Sequence, residues 1–274
     1  MPRLRPDLDS LRPYRPGRSS AEVAAAYGVD QIVRLGSNEM ADPPWPEVVA
    51  AVAAAAAGVN RYPDNARTEL RTALGAHLGG IDPERIWAGG ASNELGTLLA
   101  IAFGGPGTSV LYAWPSFGLY PIAARTAGSE AIEVPLTGDH RHDLPAMADA
   151  TRPDTSVVFV CNPNNPTGTH VAAADLARFI DDLHEDVLVV VDEAYHEFAT
   201  APDHRSAVEL AATRSNVAVT RTFSKAYGLA GLRCGFGVAD PATALEVEKS
   251  RGPYTVSGLA SAATAAALRD GSDW

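Results

Sequence analysis

Seven short runs of β-branched and apolar residues, spaced along 274 residues and separated by helical patterns, constrain this chain more than any other feature. They are Arg85–Ala88, Ser109–Ala113, Ala131–Val134, Ser156–Cys161, Val187–Val191, Val217–Arg221 and Cys234–Val238. Several are apolar throughout, as expected of parallel strands covered on both faces. Helical patterns lie between them at Glu94–Phe103, Val171–His184 and Pro241–Ser250, the last with Asp240 as its cap and Pro241 in its first turn. Such alternation predicts an α/β fold with a mostly parallel central sheet flanked by helices. There is no internal repeat and no low-complexity linker. The first 35 residues, rich in Pro and Arg, read as an extended arm that packs on something else.

Composition narrows the function. A chain of 28.7 kDa with 46% hydrophobic and 20% charged residues makes one large domain, or one and a half smaller ones. A net charge of −11 argues against nucleic-acid binding through a general basic surface. It also means that an anionic ligand needs a local positive site. Two cysteines, Cys161 and Cys234, both in apolar runs, are too few for a disulfide framework and read as reduced core residues of a cytoplasmic protein. The opening residues lack the apolar stretch of a signal peptide, and no run approaches the ~18 apolar residues of a membrane span. Of 22 basic residues only Lys225 and Lys249 are lysines, so chemistry that needs a lysine amine has two candidates. No metal-ligand spacing stands out.

In open parallel sheets ligands bind at the carboxyl ends of the strands, and four of the runs end in polar side chains. Arg85–Ala88 leads into Gly89-Gly-Ala-Ser-Asn-Glu94, and Ser156–Cys161 into Asn162-Pro-Asn-Asn-Pro-Thr-Gly168. Val187–Val191 leads into Asp192-Glu-Ala-Tyr195, and Val217–Arg221 into Thr222-Phe-Ser-Lys225.

Each candidate has a plainer reading beside the functional one. Lys249, near a helix C-terminus, is the solvated lysine favoured by the helix dipole. Lys225 instead sits with Thr222, Ser224 and Arg233, a hydroxyl-plus-cation cluster suited to a phosphate. Asp192 ends five consecutive apolar residues. It is either a helix cap or the partner of a buried cation, such as the protonated pyridine nitrogen of pyridoxal phosphate. Tyr195, three residues on, reaches toward the same object. Asn162–Gly168 is rigid turn chemistry that either closes a loop or holds asparagine side chains at fixed angles. Ser92 and Asn93 open a helix, as a plain cap or as a phosphate-binding N-terminus. Phe117 is a core ring or a stacking platform.

Taken in order, these stretches resemble the class I aminotransferases of pyridoxal phosphate, with the aspartate aminotransferase fold. Within them the chain is most similar to histidinol-phosphate aminotransferase and its relative, the actinobacterial aromatic amino acid aminotransferase. The resemblance rests on RLGSNEM (34–40), NRYPDN (60–65), WPSFGLY (114–120), VCNPNNPTG (160–168), VDEAYHEF (191–198) and RTFSKAYGLAGLRCGFG (221–237). It implies that Lys225 carries the cofactor covalently and moves the proton, and that Asp192 holds the pyridine nitrogen protonated. It further implies that Tyr195 and Asn165 hydrogen-bond the ring oxygen. Thr222, Ser224, Arg233, Ser92 and Asn93 would surround the phosphate, and Phe117 would stack on the ring where the family often has tyrosine. Tyr62 matches a tyrosine that reaches the neighbouring subunit's phosphate, which implies a homodimer with shared active sites.

The same resemblance implies three parts: residues 1–38 as an arm and part of a small domain, 39–255 as the large cofactor domain, and 256–274 as the start of an interdomain helix. The arginine that grips the substrate carboxylate in this family has no match before Trp274, so a fragment with an incomplete small domain is expected. The implied activity is transfer of an amino group between glutamate and imidazole acetol phosphate. The alternatives are an aromatic amino acid aminotransferase, a phosphothreonine-type decarboxylase on the same fold, and a non-catalytic protein that binds the cofactor.

Overall fold

The computed structural model describes Arg5 and residues 17–270. All seven apolar runs form strands: β1 (Ile86–Gly89), β2 (Ser109–Trp114), β3 (Glu130–Pro135), β4 (Thr155–Cys161), β5 (Leu188–Asp192), β6 (Val217–Thr222) and β7 (Gly235–Val238). They make one sheet in the order β1-β7-β6-β5-β4-β2-β3. β7 is antiparallel to both of its neighbours, while every other adjacent pair is parallel. Six strands therefore point one way. The carboxyl ends of β1, β6, β5 and β4 share one edge of the sheet, and the start of β7, with Arg233 just before it, returns to that edge.

The helices are α1 (Ser20–Tyr27), α2 (Pro46–Ala56), α3 (Thr68–His77), α4 (Ala91–Phe103), α5 (Leu119–Ala127), α6 (Leu144–Asp149), α7 (Ala173–Asp182), α8 (Val208–Thr213), α9 (Pro241–Ser250) and α10 (Gly258–Asp270). They cover both faces of the sheet. One face packs Tyr112, Phe159, Val190 and Ala218 under Leu95 and Leu99 of α4, Tyr120 of α5 and Val247 of α9. The other packs Val158, Val160, Val189, Val191 and Val219 against Leu74 of α3, Met147 of α6, Phe179 of α7 and the alanines of α10. A fully buried Leu99 contributes roughly 1.5–3 kcal/mol by its removal from water. On α10, Ala260, Ala263 and Ala267 are fully buried, and their small side chains let that helix approach α2 closely. α9 begins as its sequence predicts, with Asp240 accepting a hydrogen bond from Ala242 N at 2.9 Å. Lys249 lies in its last turn, exposed and paired with Glu246.

One expectation is corrected. The N-terminal arm is not extended throughout, because α1 forms within it. Ser19 and Glu22 make a reciprocal capping box, and Gly28 closes the helix in the left-handed region. The Ser-x-x-Glu signal precedes an alanine-rich stretch, so local propensity and capping suffice for helix there. No residue of α1 is buried.

Candidate active site

The shared edge of the sheet brings most of the polar strand ends together. β5 ends at Asp192, which is 3% exposed. Its carboxylate accepts hydrogen bonds from Tyr120 Oη at 3.1 Å and from Ala194 N at 3.2 Å. Among the described residues no lysine, arginine or histidine forms an ion pair with it. Burial pushes its pKa up to about 6, against the lowering effect of those hydrogen bonds and of the Thr220 hydroxyl. A carboxylate placed this way is short of one cation.

The β6 end supplies the hydroxyl cluster. Thr222 Oγ1 donates to Ser224 Oγ at 3.0 Å, and Ser224 N donates back to Thr222 Oγ1 at 3.1 Å. Arg233, held in the left-handed region after a short 3-10 turn, donates to Ser224 Oγ at 3.4 Å. The first turn of α4 closes on the same place because Gly235 has no side chain. A Cβ there would meet Ala91 Cα and C at 2.8 Å and Arg221 O at 2.7 Å. This approach sets Ser92, buried and without a side-chain hydrogen bond among the described residues, at the start of α4 beside β7. Asn93 is exposed one position further on.

Lys225 follows this cluster. Its Nζ donates to Ser37 O at 2.8 Å and lies 5.8 Å from the centroid of the Tyr195 ring. Burial holds its ammonium below the ordinary lysine range, with Glu39 opposing and Arg233 reinforcing the shift. Tyr195 Oη accepts from Asn38 Nδ2 at 2.9 Å.

The Asn162–Gly168 turn sorts its asparagines. Asn162 clamps Val171 through both its amide atoms, at 2.9 and 3.1 Å. Asn164 is bonded to Ser116, Thr167 and His142. Both are buried and committed to the loop. Asn165 alone of the three makes no side-chain hydrogen bond among the described residues. It lines an open cleft of about 530 Å³ together with Asn38, Pro163, Tyr195 and Phe198. Phe117 is half-buried, its ring edge-on to Tyr120 with centroids 5.9 Å apart.

Tyr62 is not brought to this edge within one chain. It is 81% exposed and stacks on Tyr254, with centroids 4.5 Å apart. Two residues that touch the site have no individual signal in the sequence: Tyr120, which reaches Asp192 across 72 positions, and Asn38. Both lie inside stretches that carry the family resemblance, WPSFGLY and RLGSNEM. Among the described residues no group of three or more His, Cys, Asp or Glu is placed to hold a metal ion, and no helix is long and apolar enough to cross a membrane.

One edge of the sheet thus carries a buried acid, a lysine and a hydroxyl-and-arginine cluster. The chain belongs to the aminotransferase class I and II family, whose model matches residues 30–273, and it has the aspartate-aminotransferase-like fold. It is 46% identical to the aromatic amino acid aminotransferase of Streptomyces coelicolor, over 98% of this chain and 73% of that one. It is 43% identical to the histidinol-phosphate aminotransferase of Rubrobacter xylanophilus, over 97% of this chain and 76% of that one. Among solved structures, the histidinol-phosphate aminotransferase of Sinorhizobium meliloti in complex with pyridoxal-5'-phosphate is similar with a TM-score of 0.89 and 31% identity. That similarity covers 99% of this chain and 72% of the other.

Proposed function

We propose that this chain binds pyridoxal phosphate through Lys225 and transfers amino groups between amino acids and keto acids. The observation that carries the reading is Asp192: a buried carboxylate with hydrogen-bond donors but no cation among the described residues. The residues present fit the cofactor. Asp192 would pair with its ring nitrogen, Tyr195 and Asn165 would bond its ring oxygen, and Phe117 would lie against its ring. Thr222, Ser224, Arg233, Ser92 and Asn93 would hold its phosphate. When bound, pyridoxal phosphate supplies an electron sink for the bond broken at the substrate's Cα.

The protein's own groups do the rest. Desolvation raises the fraction of Lys225 that is uncharged, which suits an amine that must act as nucleophile and proton carrier. Tyr120 and Ala194 N aim the Asp192 carboxylate, so its charge is delivered at a fixed point rather than averaged over rotamers. Residues 39–255 would form the cofactor domain, and α10 would lead toward a second, smaller one.

For the substrate, the higher identity to the Streptomyces coelicolor enzyme supports aromatic amino and keto acids. The rings of Tyr195 and Phe198, 6.5 Å apart beside the cleft, agree with this. Imidazole acetol phosphate, the substrate put first by the sequence reading, is the second candidate, supported by the Rubrobacter relative. A homodimer with shared sites is proposed from the exposed Tyr62, Val33 and Leu35, and light scattering tests it. A reducing cytoplasmic setting suits the two buried free cysteines.

The decisive experiment is borohydride reduction of the chain with pyridoxal phosphate, followed by peptide mapping. Label on Lys225 is expected, and label on Lys249 or on neither lysine refutes the assignment. Parallel assays with glutamate and either phenylpyruvate or imidazole acetol phosphate separate the two substrates. Carbon dioxide release without a keto acid would point to the decarboxylase instead.

A further inference from the structure

Period-2 alternation splits the ends of β5 and β6 between the two faces of the sheet. Asp192 and Thr222 face the α4 and α5 side. Their neighbours Glu193 and Arg221 face the other side, where the buried Arg221 guanidinium donates through Nε to Glu193 Oε2 at 2.9 Å. We propose that Arg221 and Glu193 are a positioning pair, which orients the cofactor-facing side chains of both strand ends from behind. This rests on the cofactor reading above.

The pair is a closed frame rather than a single contact. The Glu193 carboxylate also accepts from Ser206 Oγ at 2.9 Å and from Ala207 N at 2.6 Å. Arg221 Nη2 donates to Ser206 Oγ at 2.8 Å, and Nη1 lies 3.9 Å from Glu197 Oε1. Glu193 N donates to Thr220 O at 2.9 Å, continuing the β5–β6 ladder one residue past Asp192. The fully buried Glu193 carboxylate thus ties the two strand ends to the start of α8, and the Arg221 guanidinium adds Glu197 in the turn that follows Tyr195.

A buried ion pair costs desolvation, and apolar residues of similar volume stabilise a fold as well or better. What apolar residues lack is direction. Three hydrogen bonds to one carboxylate, with a fourth between Arg221 and Ser206, fix where the backbone of residues 192–195 and 221–222 sits, and with it where Asp192, Tyr195 and Thr222 point. Arg221 and Glu193 therefore act through the groups that would touch the cofactor, not on it.

The test compares the unaltered chain with two variants. Arg221→Met with Glu193→Leu removes both charges together, leaving neither buried alone. Ser206→Ala removes two of the bonds and no charge. Three quantities are read: thermal melting, the dissociation constant for pyridoxal phosphate by absorbance titration, and visible circular dichroism per bound cofactor. Arg152→Ala, which breaks an exposed cluster with Glu130 and Asp154, is the control. The double variant is expected to bind pyridoxal phosphate about tenfold more weakly. Dichroism per bound cofactor should fall in it, and Ser206→Ala should move the same way by less. Unchanged affinity and dichroism in the folded double variant overturn the proposal. If that variant does not fold, unchanged values in Ser206→Ala overturn it. Failure of the unaltered chain to bind pyridoxal phosphate removes this inference together with the reading beneath it, and so marks the two failures apart.

Discussion

Replacing Asp192 by asparagine should stabilise the cofactor-free protein and harm the loaded one, and the size of the gain follows from the site. The carboxylate is 3% exposed, and burial raises its pKa from 3.8 to about 6. At ~1.4 kcal/mol for each tenfold change in the ionisation constant, that rise means that ionised Asp192 costs the folded state about 3 kcal/mol relative to the unfolded chain. Below about pH 4 the group is protonated in both states and costs nothing. As pH rises from there toward 6, the unfolded chain releases its proton first, so folding loses stability, and above about 6 the penalty is complete. Asparagine does not titrate, keeps an oxygen for Ala194 N and offers an N–H to Tyr120 Oη. The difference in stability should therefore grow from near zero at pH 4 to about 3 kcal/mol at pH 8, or roughly 5–10 °C in melting temperature. The assay is a thermal melt of cofactor-stripped Asp192→Asn and parent protein at both pH values. Adding pyridoxal phosphate should reverse the order, because a protonated ring nitrogen repays the ionised acid and not the amide. Equal melting of the two proteins at pH 8, or a difference that stays constant between pH 8 and 4, would refute the argument that Asp192 is an uncompensated buried charge.

Other perturbations read neighbouring parts of the structure. Tyr120→Phe removes the hydroxyl that donates to Asp192 and keeps the ring stacked on Phe159. It should cost about 1 kcal/mol in a denaturant titration and raise the pH midpoint of Asp192, since a bond that favours the charged form is lost. Gly237→Ala drives a Cβ into the Trp87 ring, both residues buried in the β1–β7 pair. A loss of about 1–3 kcal/mol is expected there, measurable as a lower denaturant midpoint. Asp240→Ala removes the α9 cap and should cost about 0.5–2 kcal/mol, with faster amide exchange confined to the first turn of that helix.

Much of the candidate site is legible in the sequence because its polar groups sit next to its strands in the chain. An acid that ends an apolar run is conspicuous, so Asp192 could be singled out, and a near absence of lysine isolated Lys225. What could not be read was which partner each group meets. Asn162, Asn164 and Asn165 fall within four consecutive residues of the sequence. Only the fold turns two of them inward to brace the loop and leaves the third on the cleft. The capping box that makes α1 was present as Ser19 and Glu22, but a proline- and arginine-rich context masked it.

The division has a physical cause. Local pattern determines where a strand or helix lies and which residue follows its end, because periodicity and capping act over a few positions. It therefore determined the α/β class, all seven strands, and the candidates at four strand ends. Only the tertiary structure decided that β7 runs against its neighbours and returns Arg233 to the same edge. It alone brought Tyr120 to Asp192 and, by setting β5 beside β6, put Glu193 against Arg221 on the far side of the sheet. Those contacts join residues 28 to 72 positions apart, and a distance of that kind is chosen by the packing of the whole sheet rather than by any short stretch of sequence.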